Sequence, residues 1–208
     1  MVNDYRATKY CPVIENLDYK KRQVVDMIKI DHPRAVDMHT YIRKNEKAYK
    51  TEFMKAYNFK CAYCGASIDI LPKEMFEIDH FIYLKSFTKK ADAGYIENLV
   101  LACHPCNHQK CALPLPEEDR ELLHPDTDKI MNTFKRDDQY YIVISQDHNA
   151  NQTIKTFYKT LGLDGEIHRL DYLLMNMIGL QRTLTNDSFA YSELGQAIDV
   201  LRQKRNMM

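Results

Sequence analysis

Two stretches decide the reading of this chain: CAYCG at residues 61–65 and CHPCNHQK at residues 103–110. Each opens with a C-x-x-C pair, and 38 residues lie between Cys64 and Cys103. A C-x-x-C turn presents two sulfurs to one ion, and Gly65 directly after the first pair supplies the backbone freedom that such a knuckle needs. Four thiolates from two knuckles suit tetrahedral Zn²⁺, so Cys61, Cys64, Cys103 and Cys106 are the expected zinc ligands. Taken alone, the pairs specify a staple and no activity. They also require that the chain leave the metal, travel 38 residues and return.

What the excursion contains suggests more than a staple. Met75–Asp79 alternates apolar and polar residues, as a strand does, and His80 falls at or just past its end. Asn98–Leu101 leads into Cys103, and a helix opening near Cys103 or Pro105 would place Asn107 and Lys110 one turn apart. Strand, turn, second strand and short helix would then gather Asp79, His80 and Asn107 at one cleft.

The ordered pattern C-x-x-C…D-H…N-L…C-x-x-C-N-x-x-K resembles the HNH endonuclease superfamily over residues 61–110, about a quarter of the chain. That resemblance implies a ββα-metal finger. It implies His80 as the general base that activates water, Asp79 as a ligand of a catalytic divalent cation, and Asn98 as the residue holding the loop and base in place. The closing metal ligand falls on Asn107, an H-N-N variant, because the register from Cys106 favours Asn107 over His108. Tyr83 stands where many relatives carry a loop-shaping Pro. Phosphodiester hydrolysis needs positive charge on the phosphate oxygens, which one Mg²⁺ or Mn²⁺ supplies. Hard oxygen ligands suit that ion, so it would be distinct from the thiolate-bound zinc. An imidazole can take the proton from water. Lys110 is the expected substrate-binding residue, through a phosphate. The alternative is a catalytically inactive, zinc-stabilised nucleic-acid or protein-binding subunit of a larger complex.

The expected fold class is α+β: the finger at 61–111, a helical N-terminal region at 1–60, a linker or wrapping loop at 112–138, and a strand plus helices at 139–208. Asp31 or His32 could precede a helix with Pro33 in its first turn, and Val36, Ile42, Tyr49, Phe53 and Tyr57 recur at helical spacing beside Arg43, Lys44, Lys47, Lys50 and Lys55. Residues 112–126 hold three prolines and read as irregular. Gln139–Ile144 reads as a strand. Leu170, Leu174, Met177 and Ile178 form one apolar stripe, and Leu194, Ala197, Ile198 and Leu201 another. The C-terminal layout loosely resembles bacterial HNH proteins of phage defence, such as the nuclease subunit of Septu-type systems, which implies an ATPase subunit as protein partner.

Lys+Arg and Asp+Glu number 29 each, which argues against binding by bulk positive charge. The total conceals an asymmetry. Residues 1–60 carry 13 basic and 8 acidic side chains, whereas residues 111–208 carry 11 and 15. The first region could meet phosphates, in DNA by preference with RNA open, and the second could shield the site or face a partner. No run approaches the roughly 18 apolar residues of a membrane span, and the first residues lack the apolar core of a secretory signal. The expected location is cytoplasmic, where six cysteines favour metal over disulfides.

Overall fold

A computed structural model describes residues 4–11, 14–44 and 48–208; Lys47, part of the expected basic face, lies outside them. The fold is α+β. Its centre is an antiparallel pair, β1 (Phe76–His80) and β2 (Leu99–Cys103), in a register that sets Phe76 opposite Cys103 and His80 opposite Leu99. All five residues of β2 are buried, which is why this strand reads as a continuous apolar run. Helix α5 (His104–Lys110) starts directly after β2, with Pro105 in its first turn, where the missing N–H costs nothing. The expected strand–strand–helix succession is therefore present. A short α4 (Lys90–Ala93) lies in the loop between the strands.

The N-terminal helices pack on this unit. Helix α1 (Leu17–Asp31) buries Val24 and Ile28, α2 (Met38–Lys44) buries Met38 and Ile42, and α3 (Tyr49–Ala56) buries Tyr49, Phe53 and Met54. The expected helix start at Asp31 or His32 is corrected: α1 ends there, and the His32 N–H closes it on the Ile28 carbonyl at 2.8 Å. Proline at 33 disfavours helical backbone at His32 and stops the helix instead of opening one. Val36 lies before α2 and is exposed.

A buried polar cluster locks these helices to the sheet. Lys21 Nζ donates to the Leu99 carbonyl at 2.9 Å and to Asp126 Oδ2 at 2.6 Å, and Tyr57 Oη donates to both Asp126 oxygens. Asp126 thus ties α1 and the residue after α3 to the strand that pairs with His80.

The span expected as a linker is corrected as well. Residues 112–138 hold α6 (Glu117–Leu123), α7 (Lys129–Thr133) and β3 (Phe134–Arg136), because Leu123, Ile130, Thr133 and Phe134 each find the core. The strand expected at Gln139–Ile144 shortens to β4 (Ile142–Ile144), paired antiparallel with β3. Its first residues form the hairpin turn, where Asp137 Oδ1 accepts from the backbone of Gln139 and Tyr141, and Tyr140 takes a left-handed φ of 69°. Helices α8 (Gln152–Thr160), α9 (Glu166–Gln181) and α10 (Phe189–Asn206) complete the chain. Asn151 and Ser188 cap α8 and α10 through their side-chain oxygens. The main core runs from Tyr5 to Leu163, and Leu174, Ile178 and Ile198 form a second cluster between α9 and α10.

Candidate metal and catalytic centre

The first knuckle closes by two backbone bonds, Gly65 N–H to the Cys61 carbonyl (3.0 Å) and Cys61 N–H to the Ala66 carbonyl (2.8 Å). Gly65 has φ +82°, and a Cβ there would lie 2.7 Å from the Arg6 carbonyl oxygen. Both facts require glycine. Arg6 is itself buried, pairs with Asp4, and donates to the carbonyls of Ala62 and Pro125 at 2.8 Å each, so the N-terminal segment braces the knuckle. The second knuckle is the junction of β2 and α5. The sulfurs of Cys61, Cys64, Cys103 and Cys106 lie within 4.8 Å of one another, all buried. Cys64 and Cys103 Sγ stand 3.8 Å apart, the edge expected for a tetrahedron with metal–sulfur bonds of about 2.3 Å. Burial raises the Cys61 thiol, but hydrogen bonds from the other three sulfurs outweigh it and drive Cys61 well down, while Cys64 and Cys106 are driven up. Thiols gathered in this way give up their protons when a divalent cation binds.

Alternation along β1 divides its polar residues between two helices. Glu77 and Asp79 reach α5. Glu77 Oε2 accepts from Asn107 Nδ2 at 2.5 Å, and Oε1 lies 2.9 Å from His104 Nδ1. Burial opposes ionisation of Glu77, but these two bonds prevail and hold its carboxyl below its usual value. Asp79 is buried, accepts from Tyr63 Oη at 2.6 Å, and pairs with Lys110 Nζ at 3.0 Å. Burial raises the Asp79 carboxyl, and Lys110 and Tyr63 only partly offset that.

His80 projects instead toward α2, where its ring lies 4.3 Å from that of His39, centroid to centroid. Burial, and then His39, pushes the His80 imidazole down to about 4, so it is neutral throughout the physiological range. Among the described residues, no side chain hydrogen-bonds its ring nitrogens. Asn98 braces the loop that follows: Oδ1 accepts from Ile82 N–H at 2.8 Å, and Nδ2 donates to the carbonyls of Ile82 and Ala93.

The geometry departs from the sequence reading in two places. Lys110 is not a surface cation: it is 1% exposed, and Nζ bonds Asp79 and the His80 carbonyl at 2.9 Å. Its four-carbon stem, starting from the buried face of α5, reaches inward to the buried Asp79 carboxylate. Asp79, His80 and Asn107 also do not meet directly, since no hydrogen bond joins their side chains; Glu77 is the carboxylate that Asn107 touches. Sequence reasoning missed His39, and its 41-residue distance from His80 leaves no local pattern by which to find it. Tyr63, inside the first knuckle, was masked by its cysteine neighbours.

A cleft of about 410 Å³ adjoins this centre. His39, Arg43 and Lys50 line one wall, and Glu77 and Asn107 the other, over Phe76. Among the described residues, Arg43 and Lys50 pair with no carboxylate at ion-pair distance, and no helix is long and apolar enough to cross a membrane.

Residues 61–112 match the family model described as HNH endonuclease. The four cysteines, β1, β2 and α5 all fall within that span. No curated protein and no solved structure matches the chain. The family match supports a nuclease-type function in general.

Proposed function

We propose that this chain is a metal-dependent endonuclease of the H-N-N type, hydrolysing phosphodiester bonds in DNA, with His80 as general base and structural zinc on Cys61, Cys64, Cys103 and Cys106. The observation that carries the reading is His80 itself. A neutral imidazole with no protein hydrogen-bond partner among the described residues, at the end of a strand inside an HNH-matched span, is available to accept a proton from water. A bound phosphodiester brings negative charge to the imidazole and raises its basicity toward neutral pH.

The oxygen donors facing α5 suit a Mg²⁺ or Mn²⁺ ion, which would polarise the phosphate and stabilise the leaving oxygen. The resemblance to HNH enzymes implies Asp79 and Asn107 as the ion's ligands. The Asn107 Oδ1 accepts no protein hydrogen bond among the described residues, and the Lys110 ammonium already balances the Asp79 charge. Asn98 holds the loop after His80 so that the strand end keeps its direction. Arg43 and Lys50 offer the cleft wall to the phosphates flanking the scissile one. A role in phage defence beside an ATPase subunit rests on the layout of the C-terminal sequence alone.

One observation favours the inactive binding subunit as a second reading: the Asp79 carboxylate is engaged by both Tyr63 and Lys110. The two separate by nicking of supercoiled plasmid, and of RNA in parallel, with zinc-loaded protein. Nicking that appears only when Mg²⁺ or Mn²⁺ is added is expected. Binding without cleavage under every divalent ion, with and without an ATPase partner, would establish the inactive subunit.

A further inference from the structure

General bases are ordinarily oriented by a third group that hydrogen-bonds the imidazole. His80 has none among the described residues. Asn98 braces the loop after it, and Lys110 holds only its carbonyl oxygen. The group that does touch the ring is His39, at 4.3 Å between centroids and 40° between planes.

His39 is well fixed for such a task. The Met38 N–H bonds the Gly94 carbonyl at 2.9 Å, and Met38 is buried. Gly94 lies so close to Asp37 that a Cβ there would stand 2.0 Å from Asp37 Oδ1. Asp37 in turn accepts from the Thr40 backbone and hydroxyl in the first turn of α2. His39 also lines the cleft beside Ile78, two residues before His80. The start of α2, which carries His39, is thus clamped to the loop between β1 and β2.

From this geometry we infer that His39 is the positioning residue of the centre: its ring face sets the rotamer of His80 and leaves a ring nitrogen open to water. This assignment rests on His80 as general base and adds a residue outside the family-matched span. Misplacement of a reacting group by about 1 Å can cost on the order of 100-fold in rate, so losing the neighbouring ring should be visible in kcat.

Two substitutions separate the ring from its N–H. His39→Phe keeps an aromatic face and loses the imidazole N–H; His39→Gln keeps a donor and loses the face. With zinc content and melting temperature checked for each, His39→Gln should lower kcat for plasmid nicking about 10- to 100-fold with KM unchanged, and His39→Phe should restore most of it. In ¹³C-histidine NMR spectra, the His80 ring signals should average toward those of a mobile ring in His39→Gln and stay dispersed in His39→Phe. Equal losses in both variants, a change confined to KM, or His80 signals unchanged in His39→Gln would overturn the assignment. Nicking by His80→Ala at the wild-type rate would sink the base reading instead. The spectra report on the ordering of His80 whichever way that result falls.

Discussion

At the scale of single residues, the Asp79–Lys110 pair carries the sharpest consequence. The two side chains are 7% and 0% exposed, so solvent does not screen them, and removing one partner strands a buried charge. Lys110→Ala should therefore destabilise the protein by about 3–5 kcal/mol, read as a lower denaturation midpoint in urea. Had Lys110 been a phosphate contact, the same change would leave stability alone and weaken substrate binding. Gly65 is the second such position: its φ of +82° and the Arg6 carbonyl 2.7 Å from any Cβ make Gly65→Ala costly to the first knuckle. These two residues also show what the sequence can and cannot convey. A glycine after C-x-x-C announces its backbone requirement locally. The inward course of Lys110 depends on a carboxylate 31 positions away and on the face of α5 that the core claims.

At the scale of elements, β1, β2 and α5 form a unit closed by the two knuckles. This part was the most legible in the sequence, because alternation in β1, the apolar run of β2 and the cysteine spacing are each local signals. Cys103→Ser should lose zinc and unfold the finger, since ligand loss and loss of structure are coupled in such sites; metal analysis and circular dichroism on one sample would check it. A folded, zinc-free and fully active Cys103→Ser protein would contradict the staple. Helices α2 and α3 contribute the cationic wall. Arg43→Gln combined with Lys50→Gln should weaken DNA binding and reduce the slope of log K against log salt by up to about 0.9 per lost phosphate contact, with melting temperature unchanged. The helix boundaries in this region were hidden because His32-Pro33 reads equally as a start or a stop, and only the packing of α1 decides.

At the scale of the whole molecule, the zero net charge is a sum over regions that the fold places differently. The basic N-terminal region packs its helices against β1 and delivers Arg43 and Lys50 to the cleft. The acidic C-terminal region supplies Asp126, which fastens Lys21 and Tyr57 beside β2. That locking cluster has a pH signature. His124 bonds the Glu97 carbonyl through Nε2 and accepts the Asp126 N–H on Nδ1, so it must be neutral when folded. Burial lowers its pKa below the ordinary 6.5. The unfolded chain then takes up the proton first, and the stability tied to neutral His124 is full above about pH 6.5 and lost as pH falls through the lower folded value. His39 and His80 act in the same sense, whereas His168, whose pKa is raised, acts in the opposite one. Thermal melts between pH 7 and pH 5 should show a falling melting temperature, less steep in His124→Gln. None of this network was legible in advance, because it joins residues 21, 57, 97, 124 and 126, which share no local pattern.

The central claim is that His80 performs the chemistry of this fold. The most direct measurement compares plasmid nicking by the wild-type protein and by His80→Ala at equal zinc content with Mg²⁺ or Mn²⁺ present. The account predicts cleavage by the first and a loss of at least about 100-fold in the second, the low end of a general base's contribution. Equal cleavage by both proteins would contradict it.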